Sequence, residues 1–209
     1  MAYQVKTPWW LSHLVYPRLI WKMPASDEPT VYITFDDGPH PIATRYALDM
    51  MEQYHAKATF FCIGKNVVAH PELYSELLAK GHTTGNHTYN HLNGWKSKTK
   101  TYLENIHQAS SHINSRIFRP PYGKIRRGQA SRLLKASWKI YMWDVLSGDF
   151  DRNITGQQCA ENVLKNIQPG SIIVFHDSEK AWERMSYALP QVLAYCKNKN
   201  WMLKALPKY

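Results

Sequence analysis

From Thr30 onward, short β-branched or aromatic runs alternate with longer segments whose apolar positions recur at helical spacing. "TVYITF" (30–35) reads as a strand. "ATRYALDMMEQY" (43–54) places Ala43, Ala47, Met50, Met51 and Tyr54 on one helical face. "ATFFCIG" (58–64) predicts a buried strand, and "HPELYSELLAKG" (70–81) a helix with Pro71 in its first turn and Gly81 at its end. Strands are then expected at 82–87, 116–123, 138–145, 171–177 and 201–206, and helices at 100–113, 128–136, 155–167 and 178–199, the last interrupted by Pro190. Seven strands joined by six helices, without linker or low-complexity sequence, predict parallel pairing in one domain.

A closed barrel and an open doubly wound sheet both satisfy that alternation. The polar residues decide between them. Asp36 and Asp37 end the first strand, His87 and His91 follow the third, Arg119 the fourth and Asp149 the fifth, and His176 ends the sixth. All lie at carboxyl ends. A barrel gathers such ends around one mouth, whereas an open sheet does not bring so many strands to one crevice. The expected fold is α/β: a distorted, incomplete seven-stranded (β/α) barrel over residues 30–209, preceded by an aromatic strap or extension at 1–29.

That extension, "MAYQVKTPWWLSHLVYPRLIWKMP", has no stretch near the roughly 20 apolar residues of a membrane span. It also lacks the basic start and small-residue cleavage site of a signal peptide. The expected location is therefore cytoplasmic, or peripheral at the inner membrane face. Two readings stand for the segment itself. One is a strap over the core. The other is an interfacial anchor, with Trp9, Trp10, Tyr16 and Trp21 beside Lys6, Arg18 and Lys22. Pro8, Pro17 and His13 break any continuous amphipathic helix and favour the strap.

At 209 residues, 44% hydrophobic and 20% charged, the chain has the composition of an ordinary globular domain. Its 26 Lys and Arg against 16 Asp and Glu give a net charge of +10, which favours an anionic partner such as an acidic glycan or an anionic membrane surface. The cations are scattered, and no basic-aromatic module argues for nucleic acid. Cys62, Cys159 and Cys196 are too few and too dispersed for a disulfide framework or a zinc ribbon.

The chemistry gathers at "TFDDGPHP" (34–41). Two adjacent carboxylates where a buried strand ends repel each other unless a cation intervenes. "NHTYNH" supplies two histidines at i, i+4, on one face if that segment is helical. Two imidazoles and one carboxylate with an open position make a hydrolytic metal site, leaving the second carboxylate free as a base.

"TFDDGP", "HTYNH", "RPPYG" and "IIVFHD", in that order, resemble the polysaccharide deacetylases with the NodB homology domain, a carbohydrate esterase family. The resemblance covers roughly residues 30–206. It implies a distorted (β/α) barrel and the removal of acetyl groups from N-acetylated sugars of chitin or peptidoglycan type, or from O-acetylated xylan. It further implies that Asp37, His87 and His91 bind a divalent metal, zinc first, with Co2+, Mn2+ or Ni2+ as alternatives. Asp36 is then the general base, His176 the general acid, Arg119 the group that orients Asp36, and Asp149 the acid that tunes the histidine. The backbone of Tyr122 would help hold the oxyanion.

The chain departs from the family at "LSGDF", where Leu146 replaces an acid and Phe150 a tryptophan, and at Val174, which replaces a leucine. Phe150 and Val174 would form the acyl pocket, with Val145 or Ile173 as further candidates. The expected function is metal-dependent deacetylation of an N-acetylated glycan. The alternatives are a membrane-surface deformylase or deacetylase of a lipid-linked amino sugar, or a catalytically silent carbohydrate-binding protein.

Overall fold

The computed structural model describes residues 3–24 and 26–208. Met1, Ala2, Ala25 and Tyr209, which fall within the spans expected as 1–29 and 30–209, lie outside the described residues.

Strand β1 (Thr30–Asp36) is the longest, and it pairs with three others. It is followed by α1 (Ala43–Gln53), β2 (Thr59–Cys62), α2 (Gly64–Ala69), α3 (Pro71–Ala79), β3 (Thr83–Asn86), α4 (Thr99–Ser110) and β4 (Ile117–Phe118). Then come α5 (Arg127–Lys135), β5 (Lys139–Ile140), β6 (Val145–Leu146), α6 (Gly156–Leu164), β7 (Ile172–His176), α7 (Trp182–Asn198) and β8 (Met202–Leu203). The strand order is β5-β4-β3-β2-β1-β7-β6, with β8 beside β1 and every pair parallel. This is the incomplete barrel expected from the polar residues at the strand ends.

One predicted strand is corrected. The run 138–145 is two pieces on opposite edges of the curled sheet. Tyr141 N–H donates to Phe118 O (2.9 Å), whereas Asp144 N–H donates to Ile172 O (3.2 Å). Within a few residues the chain leaves one edge and joins the other, so the seam of the barrel is a single segment. The expected strand at 116–123 also shortens to β4, because the Pro120-Pro121 pair turns the chain into a 3-10 turn at Pro121–Gly123. Helix α2 was not expected; at six residues it is too short for its periodicity to register.

Short β5 and β6 leave backbone groups that need partners, and the N-terminal segment supplies them. Ile20 N–H donates to Ile140 O (2.9 Å), Met142 N–H to Ile20 O (2.7 Å), Thr7 N–H to Asp144 O (3.0 Å) and Leu146 N–H to Val5 O (2.8 Å). Leu19 and Trp21 are buried against Phe118, Leu133 and Trp138. A short π-helical turn at Leu11–Val15 separates these two stretches, and Trp9, Trp10 and Leu14 around it are exposed. Among the described residues no helix is long and apolar enough to cross a membrane.

Side chains alternate across β1. Val31, Ile33 and Phe35 pack with Leu48 and Met51 of α1 and Leu189 and Val192 of α7. Thr34 and Asp36 take the other face, inside the barrel. The three cysteines are buried and unpaired.

Candidate active site

Asp36 sits where β1 ends, and Asp37 follows with φ of +84°, a left-handed conformation that is costly for a residue other than glycine. That turn breaks the strand alternation, so both carboxylates reach the same mouth. Gly38 comes next because a Cβ there would collide with the Asp177 carboxylate. Asp177 accepts hydrogen bonds from Gly38 N–H (3.0 Å) and from the Thr44 hydroxyl, and its own N–H donates to Asp36 O (3.0 Å). Burial, with the charge of Asp37 adding to it, lifts the Asp177 carboxyl to about 8 against these hydrogen bonds. Sequence reading assigns Asp177 no role; it is the clamp of the Asp-Asp-Gly turn. The available signal was a carboxylate at the end of the buried strand that neighbours β1.

His87 follows β3 and His91 lies in the loop beyond it, so the helical premise for their spacing is corrected. Positive φ at Thr88 (65°) and His91 (56°) folds this stretch into a tight loop that returns the second imidazole to the first. The ring centroids are 5.1 Å apart. His87 Nε2 lies 3.7 Å and His91 Nε2 3.1 Å from Asp37 Oδ1. One donor atom from each of the three residues fits within 4.8 Å of the others.

The donor set fits a divalent cation on three further counts. Asp37 Oδ1 is buried without a hydrogen-bond partner, which is costly unless something else occupies it. His87 Nδ1 lies 2.8 Å from Arg119 O, which can only accept, so the proton is on Nδ1 and the Nε2 lone pair faces Asp37. Burial, with His91 nearby, also lowers the His87 pKa to about 4, keeping the ring neutral as a ligand must be. Asp37 itself is held well below the usual carboxylate range, because the surrounding histidines outweigh the opposing effect of burial.

Asp36 belongs to a different network. Arg119, fully buried beyond β4, donates through Nη1 to Asp36 Oδ1 (2.8 Å) and Thr34 Oγ1 (2.7 Å). Its Nη2 donates to Met142 O (2.9 Å) and its Nε to Tyr141 O (3.3 Å), and the guanidinium lies 4.1 Å from the Phe61 ring centroid. The Arg119→Met variant should lose about 3 kcal/mol or more of folding stability, because a buried ion left without its partner is expensive. Urea unfolding reads this directly; a loss below about 1 kcal/mol would place the pair among weak surface-like bridges.

His176 ends β7 beside Asp36, its register partner on β1. Asp149, following β6, holds it twice: Oδ1 lies 2.7 Å from His176 Nδ1, and Oδ2 accepts from the His176 N–H (2.6 Å). Burial alone would depress this imidazole, but the Asp149 carboxylate, aided by Asp37 and Asp36, raises its pKa to about 9. Phe150 stands edge-on to His176 with centroids 5.3 Å apart, and Val174 is buried two residues before it. Tyr122, at φ of +60° in the 3-10 turn, is 60% exposed with its ring 4.5 Å from that of His91. Tyr3, which carries no signal in the sequence, packs edge-on against Phe150 at 5.1 Å.

Comparison with known proteins agrees with this architecture. A family profile described as polysaccharide deacetylase matches residues 24–139. The chain is 32% identical over 184 residues to a peptidoglycan-N-acetylglucosamine deacetylase of Bacillus cereus, covering 85% of this chain and 66% of that one. It is 34% identical over 164 residues to a chitooligosaccharide deacetylase of Bradyrhizobium sp., covering 75% and 74%. The fold superposes on the crystal structure of the Bc1960 peptidoglycan N-acetylglucosamine deacetylase with a TM-score of 0.87 and 29% identity, over 96% of this chain and 95% of that one.

Proposed function

The chain belongs to the polysaccharide deacetylase family, and from that premise we propose that it is a metal-dependent hydrolase removing N-linked acetyl groups from N-acetylated amino sugars of a peptidoglycan- or chitin-type glycan. One observation carries the reading. The convergent Asp37, His87 and His91 donors are flanked by a carboxylate and an imidazole whose surroundings are opposite in kind.

Asp37, His87 and His91 would hold the ion, zinc being the best match to this donor set. A bound divalent ion supplies Lewis acidity toward water and the amide carbonyl. Asp36 is the general base. Arg119 occupies Oδ1, which leaves Oδ2 to take a proton from the attacking water. The N–H of Tyr122 assists the developing oxyanion. His176, with Nδ1 committed to Asp149, presents Nε2 and delivers its proton to the departing amine. Phe150 and Val174 wall the site that receives the acetyl methyl.

Acetate release from chitooligosaccharides, peptidoglycan fragments and acetylxylan tests the substrate class. Release from one of the first two is expected, and release from acetylxylan alone would overturn it. The pH profile tests the acid. With His176 protonated up to about 9, the alkaline limb of kcat/KM should fall there; Asp149→Asn should move it down toward the ordinary histidine value of 6.5. An unmoved alkaline limb would exclude His176 as the proton donor.

A further inference from the structure

The positive charge is not spread as evenly as the linear sequence suggests. Residues 1–26 hold three cations and no acid, and residues 105–143 hold eight cations and no acid, leaving 15 cations against all 16 acids in the remainder. The two stretches carry +11 and the rest of the chain −1, so the whole net charge of +10 comes from them, and the fold brings them together. Tyr16 Oη donates to Ile125 O (2.6 Å), Trp95 Nε1 donates to the same carbonyl (3.1 Å), and Leu11 packs on the apolar cluster that contains Ala130 and Leu133 of α5.

Two of these cations are neutralised, Arg119 by Asp36 and Lys6 by Asp144. Among the described residues Arg18, Lys124, Arg126, Arg127, Arg132 and Lys135 form no ion pair. Between Arg18 and Arg127 runs a mainly apolar groove of about 230 Å³, floored by Tyr16, Leu19, Ala130 and Leu134. Beside it the turn at Leu11–Val15 exposes Trp9 (64%), Trp10 (54%) and Leu14 (65%). Exposed indole and leucine side chains next to unpaired cations match the interfacial zone of an anionic bilayer, where rings sit at headgroup depth and cations meet lipid phosphates. A soluble acidic polymer would match the cations but gives no reason to expose Leu14.

We infer that this face, formed by the Leu11–Val15 turn and α5, docks the protein on an anionic lipid surface. The face adjoins the mouth, since Lys124 follows Tyr122 by two residues. The docking is independent of the hydrolytic reading.

Sedimentation of the full chain with vesicles tests it. Binding is expected to an equal mixture of phosphatidylcholine and phosphatidylglycerol, not to phosphatidylcholine alone, with release as salt rises. Each cation near such a surface strengthens binding about fivefold, so Arg127→Gln, Arg132→Gln and Lys135→Gln combined should weaken it on the order of 100-fold. Trp9→Ser, Trp10→Ser and Leu14→Ser combined should weaken vesicle binding while leaving retention on dextran sulfate unchanged. Circular dichroism and the melting temperature report folding; if either triple variant melts early, its three single variants replace it. Failure of the unaltered protein to bind the mixed vesicles would overturn the inference. So would unchanged binding in both triples, or capture by dextran sulfate with no vesicle binding, which would point to an acidic glycan.

Discussion

With alanine at position 91, the protein is expected to come through metal loading without a stoichiometric divalent ion and with no measurable acetate release. Three donor atoms within 4.8 Å of one another are few enough that none is spare. His87 is fixed by the Arg119 carbonyl and Asp37 by its own turn, so neither can move to compensate. Loss of His91 also removes the ring nitrogen nearest the orphaned Asp37 Oδ1, 3.1 Å away. Alanine tolerates the φ of +56° less well than asparagine does, so His91→Asn is the control for backbone strain. Elemental analysis alongside the acetate assay decides the matter; full metal occupancy in His91→Ala would remove His91 from the ligand set.

Asp36→Asn separates the two adjacent acids. An asparagine Oδ1 can still accept from Arg119 Nη1, but the side chain can no longer take a proton from water. The variant is expected to keep its metal and to lose about 10²–10⁴-fold in kcat, the usual range for a missing general base. Some folding stability should go as well, because buried Arg119 then faces a neutral partner. An empty metal site in Asp36→Asn would mean that Asp36 and Asp37 have exchanged roles. Undiminished kcat would place the base elsewhere.

The parts of this molecule legible in the sequence are those with a local cause. β1 and β7 announce themselves through β-branched runs that stop at acid or imidazole, and the barrel follows from where those polar ends fall. The partner exchange within 138–145 has no local signature. An apolar run reads the same whether it pairs with one edge or two, and the difference lies in Phe118 and Ile172, far away in sequence. The convergence of His87 and His91 was anticipated for a geometric reason that does not apply, since positive φ in a loop does the work assigned to a helix. Asp177 and Tyr3 act only through residues that folding brings to them, Gly38 and Phe150. The basic face was hidden because its two halves are separated by residues 27–104, and their shared lack of acids matters only once the fold sets them side by side.

The N-terminal seam carries a consequence for synthesis. Residues 5–7 and 20–23 take their hydrogen-bond partners from 140–146 and Gly170. A chain emerging from the ribosome makes its first residues first, yet the backbone partners of Val5, Thr7 and Ile20 appear only when about two thirds of the protein exists, and that of Met23 at about four fifths. Until then Leu19 and Trp21 must stay uncovered, and closing so long a loop comes late because its entropy is lost before its contacts form. In a refolding experiment with pulsed hydrogen exchange, the amides of Thr7, Ile20 and Met23 should accordingly be among the last to gain protection, after those of β1 and β2. During translation this edge of the barrel is the interval's exposed surface, and a chaperone that recognises the nascent chain would find its aromatic target within the first two dozen residues.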